Sequence, residues 1–170
     1  MPEANLLVTF DPLHAESAKA EIGALLKEVG EASKILKFDE GLAEITVKEP
    51  RKAVKALLKI CVKDGSKFKY SFNWWPVDKW CKADIKEMQK VIAEFDKSIK
   101  KEEKWKLDFS KRRTSKDYGR DIIVKLTEVI DKPNVDLSNP DKIIKADVIG
   151  DRAAISLLSK DEILNVLKLK

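Results

Sequence analysis

The chain has 170 residues, one domain's worth or two small ones, and its 44% hydrophobic content is enough for a packed core, which excludes a disordered chain. Charged residues make up 37%, a Lys- and Glu-rich pattern often seen in hyperthermophile proteins, and the net charge of +5 permits an anionic partner without demanding one. The opening MPEANLLVTF lacks a basic stretch followed by a long apolar core, and no apolar run approaches a membrane span, so a cytoplasmic protein with no membrane association is expected.

Residues 5–10 are a short apolar run that predicts a buried strand, ended by Asp11 and Pro12. From about residue 13, Ala18, Ile22, Leu25, Leu26 and Val29 fall at helical spacing, and Gly30 stands where a C-cap glycine belongs. Residues 33–38 and 42–47 are β-type runs separated by Asp39-Glu40-Gly41, which is hairpin chemistry. Pro50 suits the first turn of a second helix with Val54, Leu57, Leu58 and Cys61 on its apolar face, closed by Asp64-Gly65. Residues 67–74 alternate Phe68, Tyr70, Phe72 and Trp74 as a half-buried strand does. The order βαββαβ over residues 5–75 is that of a ferredoxin-like unit.

The second half begins at Pro76. Asp84 starts a long helix with Ile85, Met88, Ile92, Phe95 and Ile99 in one apolar stripe. Residues 104–120, KWKLDFSKRRTSKDYGR, set a strand (Trp105, Leu107, Phe109) directly before the basic cluster Lys111, Arg112, Arg113. Residues 110–115 are expected to be a loop, and a helix is expected from about Lys116, carrying Lys116, Tyr118 and Arg120. Its first free N–H groups would converge with the cations on one phosphate-sized site. A solvated charge run is the alternative for the cluster, and pairing with Asp117 or Asp121 is the alternative for Arg120. Pro133 should stop that helix, Asn139-Pro140 marks a turn, and residues 142–149 and 152–158 read as strands around the hairpin dipeptide Gly150-Asp151. A short helix over 160–167 is expected to finish the chain.

The aromatic strand ending in LDFSKRR, the segment YGRDIIVKL, the phrase VDLSNPDKIIKADVI and the closing RAAISLL resemble a THUMP domain, an RNA-binding module of tRNA-modifying proteins, over residues 76–158. The resemblance implies an α+β chain with an N-terminal ferredoxin-like domain (1–75) followed by a THUMP domain (76–170). The likeness is to stand-alone members, including the adaptor of a tRNA cytidine acetyltransferase, and an archaeal source is expected. It further implies tRNA as partner, held by the acceptor stem and the 3′ CCA end, with that acetyltransferase or another modifying enzyme as protein partner. Lys111, Arg112, Arg113, Lys116, Arg120 and Asn139 form the expected RNA-binding set. For Asn139 and Pro140 a purely structural turn is an equal reading.

No catalytic residue, metal or cofactor is expected. His14 is the only histidine, Cys61 and Cys81 lack zinc-site spacing and are taken as thiols, and no phosphate-binding glycine loop or nucleophile elbow occurs. Of the tryptophans, Trp74 and Trp105 follow strand alternation and should be core, whereas Trp75 and Trp80 are expected to be more exposed and able to stack on bases. A protein-interaction subunit with little RNA affinity of its own, docking through the Lys- and Glu-rich long helix, is the second reading.

Overall fold

Leu6–Phe10 forms β1 and is buried along its whole length. Asp11 ends it. The Asp11 carboxylate accepts from the Leu13 N–H at 3.0 Å and caps a short 3₁₀ turn over Pro12–His14, after which α1 runs over Ala15–Glu28. Gly30, with φ +82°, closes α1 in a Schellman motif, with the Gly30 N–H donating to Lys27 and the Glu31 N–H to Leu26. β2 (Lys34–Asp39) and β3 (Leu42–Thr46) meet at Glu40 and Gly41, both at positive φ (49° and 79°), the type I′ turn that matches strand twist. α2 (Pro50–Lys63) buries Ala53, Val54, Leu57 and Cys61.

β4 spans Ser71–Pro76 and starts later than the alternation suggests. Phe68 is fully buried but lies in the turn before the strand. The reason is Glu21 of α1, whose carboxylate accepts from the backbone N–H groups of Lys69, Tyr70 and Ser71 and from Ser71 Oγ at 2.7–3.0 Å. A helix side chain thus satisfies donors that a strand neighbour would otherwise take. Trp75, expected to be more exposed, is 4% exposed, because it lies opposite the fully buried Leu7 in the sheet.

The second half opens with a strand that no pattern announced, β5 (Lys79–Lys82). α3 (Ile85–Phe95) is capped by Asp84, which accepts from the Glu87 N–H at 2.8 Å. It is shorter than the apolar stripe implies, since Asp96 turns away to bind the Asp131 N–H at 2.9 Å and the Lys132 ammonium at 2.9 Å, and a 3₁₀ turn delivers Ile99 to the core instead. β6 (Trp105–Arg112), α4 (Ile122–Thr127), β7 (Lys142–Ile149) and β8 (Arg152–Ser159) follow. The sheet order is β5-β8-β7-β6, with β6 parallel to β7 and the other pairs antiparallel. Met88, Ile92, Trp105, Leu126, Ile144, Ala146 and Ile155 form the core between this sheet and its helices.

The chain ends in a 3₁₀ turn over Lys160–Glu162, β9 (Leu164–Asn165) and α5 (Val166–Leu169), in place of the single helix expected over 160–167. β9 pairs antiparallel with β4, with Leu164 opposite Trp74, so the first sheet has the order β2-β3-β1-β4-β9. Glu162 holds the segment to α2 through Arg51 at 3.2 Å and Lys55 at 3.8 Å. The computed structural model describes residues 3–169, a mixed α+β chain with two sheets in two compact units. One unit runs to Val77 and regains the chain from Asp161, and the other is Asp78–Lys160; residues 161–169 therefore join the first unit, whereas the pattern had assigned them to the second.

Leu164 is fully buried beside Trp74. Leu164→Ala is expected to cost about 2–5 kcal/mol, read as a lowered urea midpoint followed by Trp fluorescence. An unchanged midpoint would mean that the C-terminal segment is not part of the first core.

Candidate nucleic-acid interface

The basic cluster is built on the end of a strand and not in a free loop. β6 continues through Lys111 and Arg112, with Ser110, Lys111 and Arg112 paired in parallel with Asp147, Val148 and Ile149. The Ser110 hydroxyl donates to Asp147 Oδ1 at 2.5 Å, and the Gly150 N–H donates to the Arg112 carbonyl at 2.9 Å, so the strand is held to its last residue. Only at Arg113 does the chain turn, with φ +59°, a left-handed backbone that costs an L-residue about 1–2 kcal/mol.

The segment beyond is anchored by Tyr118. Its ring is buried and meets Phe109 edge-on, with centroids 5.5 Å apart and planes at 71°, and its hydroxyl donates to the Ala83 carbonyl at 2.6 Å. Burial, with the Asp84 carboxylate nearby, raises the Tyr118 pKa. Lys116 Nζ lies 5.0 Å from the Tyr118 ring centroid and 3.4 Å from the same Ala83 carbonyl. Lys111 Nζ donates to the Lys116 carbonyl at 2.7 Å, which ties the strand end to this segment.

The helix expected from Lys116 starts only at Ile122, after Arg120. Asp117 accepts from the Gly119 N–H at 2.8 Å and Gly119 takes φ +83°, a local turn that excludes helix there. The expected union of basic loop and helix N-terminus is therefore absent, and the six-residue α4 adds no anion site. What remains is a group of side-chain cations. Lys111 and Arg120 are exposed, and Arg112 and Arg113 are half-buried. Neither the Arg112 nor the Arg120 guanidinium has a hydrogen bond or ion pair among the described residues, and Asp121 pairs with Lys125 at 3.6 Å instead.

Asn139 stands apart. It precedes β7, whose first residue pairs with Ser159 and lies opposite Trp105, at the start of both parallel strands. Seven residue steps separate that end from Ile149 and Arg112, about 23 Å at roughly 3.3 Å per residue. The Asn139 N–H and the Ser138 N–H both donate to Asp136 Oδ1, at 3.0 and 2.9 Å, and its side-chain oxygen accepts from Lys160 Nζ. The Asn139 and Ser138 amides, with the Lys104 ammonium nearby, hold the Asp136 carboxyl below its usual pKa.

Two basic residues that the sequence reading did not select share the Arg112 end. Register places Arg152 opposite Ile149, and Lys82 opposite Arg152. The Arg152 guanidinium lies 4.3 Å from the ring centroid of Trp80, which is half-buried. Arg152 directly follows the hairpin dipeptide, a signal that could have been used, whereas Lys82 needed β5 to be recognised. Cys81 is free, and burial, with Glu87 and Asp84 nearby, pushes its thiol up to about 11, so it is no thiolate nucleophile at neutral pH. Among the described residues, no three His, Cys, Asp or Glu side chains gather to hold a metal ion, and no helix is long and apolar enough to cross a membrane.

The class is a mixed α+β chain with two sheets, with basic residues placed by register at one end of the second sheet. Residues 82–158 match the THUMP domain model, and this stretch of the chain is a THUMP domain. No curated protein matches the sequence. Among solved structures, the fold is similar to PH1313 from Pyrococcus horikoshii (TM-score 0.61, 13% identity, 92% of this chain and 55% of that one). It is also similar to TrmN from Thermus thermophilus (TM-score 0.57, 13% identity, 89% and 44%) and to a 4-thiouridine synthetase in complex with RNA and ATP (TM-score 0.57, 15% identity, 96% and 42%). The chain thus spans about half the length of the structures it resembles, and at such identities the likeness is one of fold.

Tyr118→Phe removes the donor to Ala83 and is expected to cost about 0.5–1.5 kcal/mol, with faster amide exchange over residues 114–120. In an acid titration, the Ser138 and Asn139 amide resonances should follow Asp136 with a midpoint below that of an unpaired Asp. The turn's contribution is present above the unfolded pKa and is lost as pH falls through the depressed folded value.

Proposed function

We propose that the chain is a tRNA-binding protein that grips the acceptor stem and 3′ CCA end and serves as adaptor for a tRNA-modifying enzyme, with cytidine acetylation the favoured reaction. A THUMP domain is an RNA-binding module, and the observation that carries the reading is the cation group at the end of β6, within the matched residues. Lys111, Arg112, Arg113, Lys116 and Arg120 contact phosphates, and the guanidinium groups of Arg112 and Arg120, without partners among the described residues, are ready for them. Asn139 belongs to the same reading as a second contact, well separated from the first.

The N-terminal unit is read as a ferredoxin-like domain, on the element order βαββαβ and the strand order β2-β3-β1-β4. The chain performs no catalytic step of its own. It acts in the cytoplasm as a ruler: phosphate contacts and RNA shape fix the acceptor end, and the partner enzyme works at a set distance. A second reading, an interaction subunit with little RNA affinity, draws on Ile123 and Val124, which α4 leaves 47% and 65% exposed. tRNA binding that appears only when the modifying enzyme is added would favour it.

The test is tRNA binding across a salt series by wild type and by a Lys111→Ala/Arg112→Ala/Arg120→Ala variant, which spares Arg113 at its left-handed turn. Losing three phosphate contacts should flatten the log–log salt slope by about 2–3 units, at roughly 0.7–0.9 per phosphate. Equal slopes and affinities would make the cluster a solvated charge run and overturn the reading.

A further inference from the structure

The end of the first sheet where β1 leaves it carries an aromatic group that the reading above does not use. The Asp11 N–H donates to the Tyr70 carbonyl at 2.9 Å, which brings the 3₁₀ turn against the chain just before β4. His14, on that turn, is held by Asp11: its Nδ1 lies 2.8 Å from Asp11 Oδ2, and this bond, ahead of the one from the Leu13 N–H, keeps the Asp11 carboxyl below its usual pKa. The imidazole then lies on Tyr70 with centroids 5.2 Å apart and planes at 35°. The backbone at Tyr70 is held by Glu21, which accepts from its N–H. The His14 ring is thus oriented by a carboxylate at the surface, its side chain 53% exposed, beside a Tyr70 whose backbone is held by Glu21.

The surroundings have the composition of a nucleotide site. Leu13, directly before His14, is 88% exposed and has no core role, and Pro12 beside it is also exposed. Lys69 Nζ lies 5.5 Å from the Tyr70 ring centroid, and Lys19 Nζ lies 5.9 Å from that of the half-buried Phe38, itself stacked on Phe10 at 4.1 Å. Neither ammonium has a carboxylate partner among the described residues, nor has His14 Nε2 a hydrogen bond there. Exposed apolar and ring surface with ammonium groups nearby suits an unpaired base with its phosphates.

We propose that His14 and Leu13, backed by Tyr70, form a stacking platform for one unpaired nucleotide of RNA, with Lys19 and Lys69 on its flanking phosphates. The proposal rests on the reading of the chain as RNA-binding, and adds to it a site on the N-terminal unit that recognises a single-stranded base by its π-face. Stacking is tolerant of base identity, so the platform selects for an unpaired end and not for a sequence.

The experiment compares an RNA hairpin carrying a short unpaired 3′ tail with the same hairpin blunt-ended. Each is titrated with wild type, His14→Ala, His14→Phe, Leu13→Ala/His14→Ala and the triple variant of the strand end. Both target side chains are exposed, and circular dichroism confirms that the variants fold. His14→Ala should weaken binding of the tailed hairpin by about 5- to 100-fold while leaving its salt slope and the blunt hairpin unchanged, and His14→Phe should restore most of the loss. Full-strength binding by His14→Ala and by the double variant, with the strand-end variant impaired, would overturn the platform and leave the tRNA-binding reading standing. Equal weakening of both hairpins with a flatter slope would make His14 a phosphate contact and also overturn it. No binding by wild type would end both readings together.

Discussion

The parallel pairing of β6 with β7 is the constraint on which the candidate interface depends. A parallel neighbour cannot be reached by a hairpin, so the chain must leave β6 at Arg112 and cross back to the start of β7 at Lys142. The departure point therefore lies at the same sheet end as the Gly150-Asp151 turn, while the return point, with Asn139, lies at the other. Cations close to the departure share one end of the sheet by necessity. The crossover also needs a fastening, and Tyr118 supplies it, buried against Phe109 and bonded to Ala83.

Carboxylates organise much of what the regular elements leave open. Glu21 satisfies three successive amides before β4, Asp84 caps α3, Asp11 orients His14, and Asp136 closes the turn before β7. In each case an acidic side chain accepts backbone N–H groups where no ladder partner exists. Acidic residues used in this way stabilise turns and helix starts at the ends of the regular elements.

Phosphate contact and base stacking divide the work of recognition differently. Contacts from Arg112 and its neighbours would position a duplex through counterion release and weaken steeply with salt. A ring platform at His14 would be insensitive to salt and sensitive to whether a base is paired. The residues proposed for the two properties lie in different units of the chain, so variants can separate them. On the proposals above, the strand end of the second unit would supply the first and the N-terminal unit the second.

Local chemistry in the sequence was sufficient for β1, α1, the Asp39-Glu40-Gly41 turn, α2, the Asp84 cap and the β7–β8 hairpin, because each is decided by periodicity or by a residue whose backbone preference is strong. The same holds for the position of the basic cluster after the aromatic strand and for the likeness to a THUMP domain. What only the tertiary structure decided are features with no local signature. β5 is too short for a pattern and exists because β8 offers it an edge. The start of β4 waits on Glu21, fifty residues earlier in the chain, and β9 forms because β4 is there to pair with it. The helix expected from Lys116 yields to the Asp117–Gly119 turn together with Tyr118, whose burial and bond to Ala83 outweigh a weak propensity in a short segment. Local preferences amount to a few tenths of a kcal/mol per residue, about 0–0.7, whereas a buried ring or a satisfied row of amides is worth more, so where the two conflicted the long-range contact prevailed.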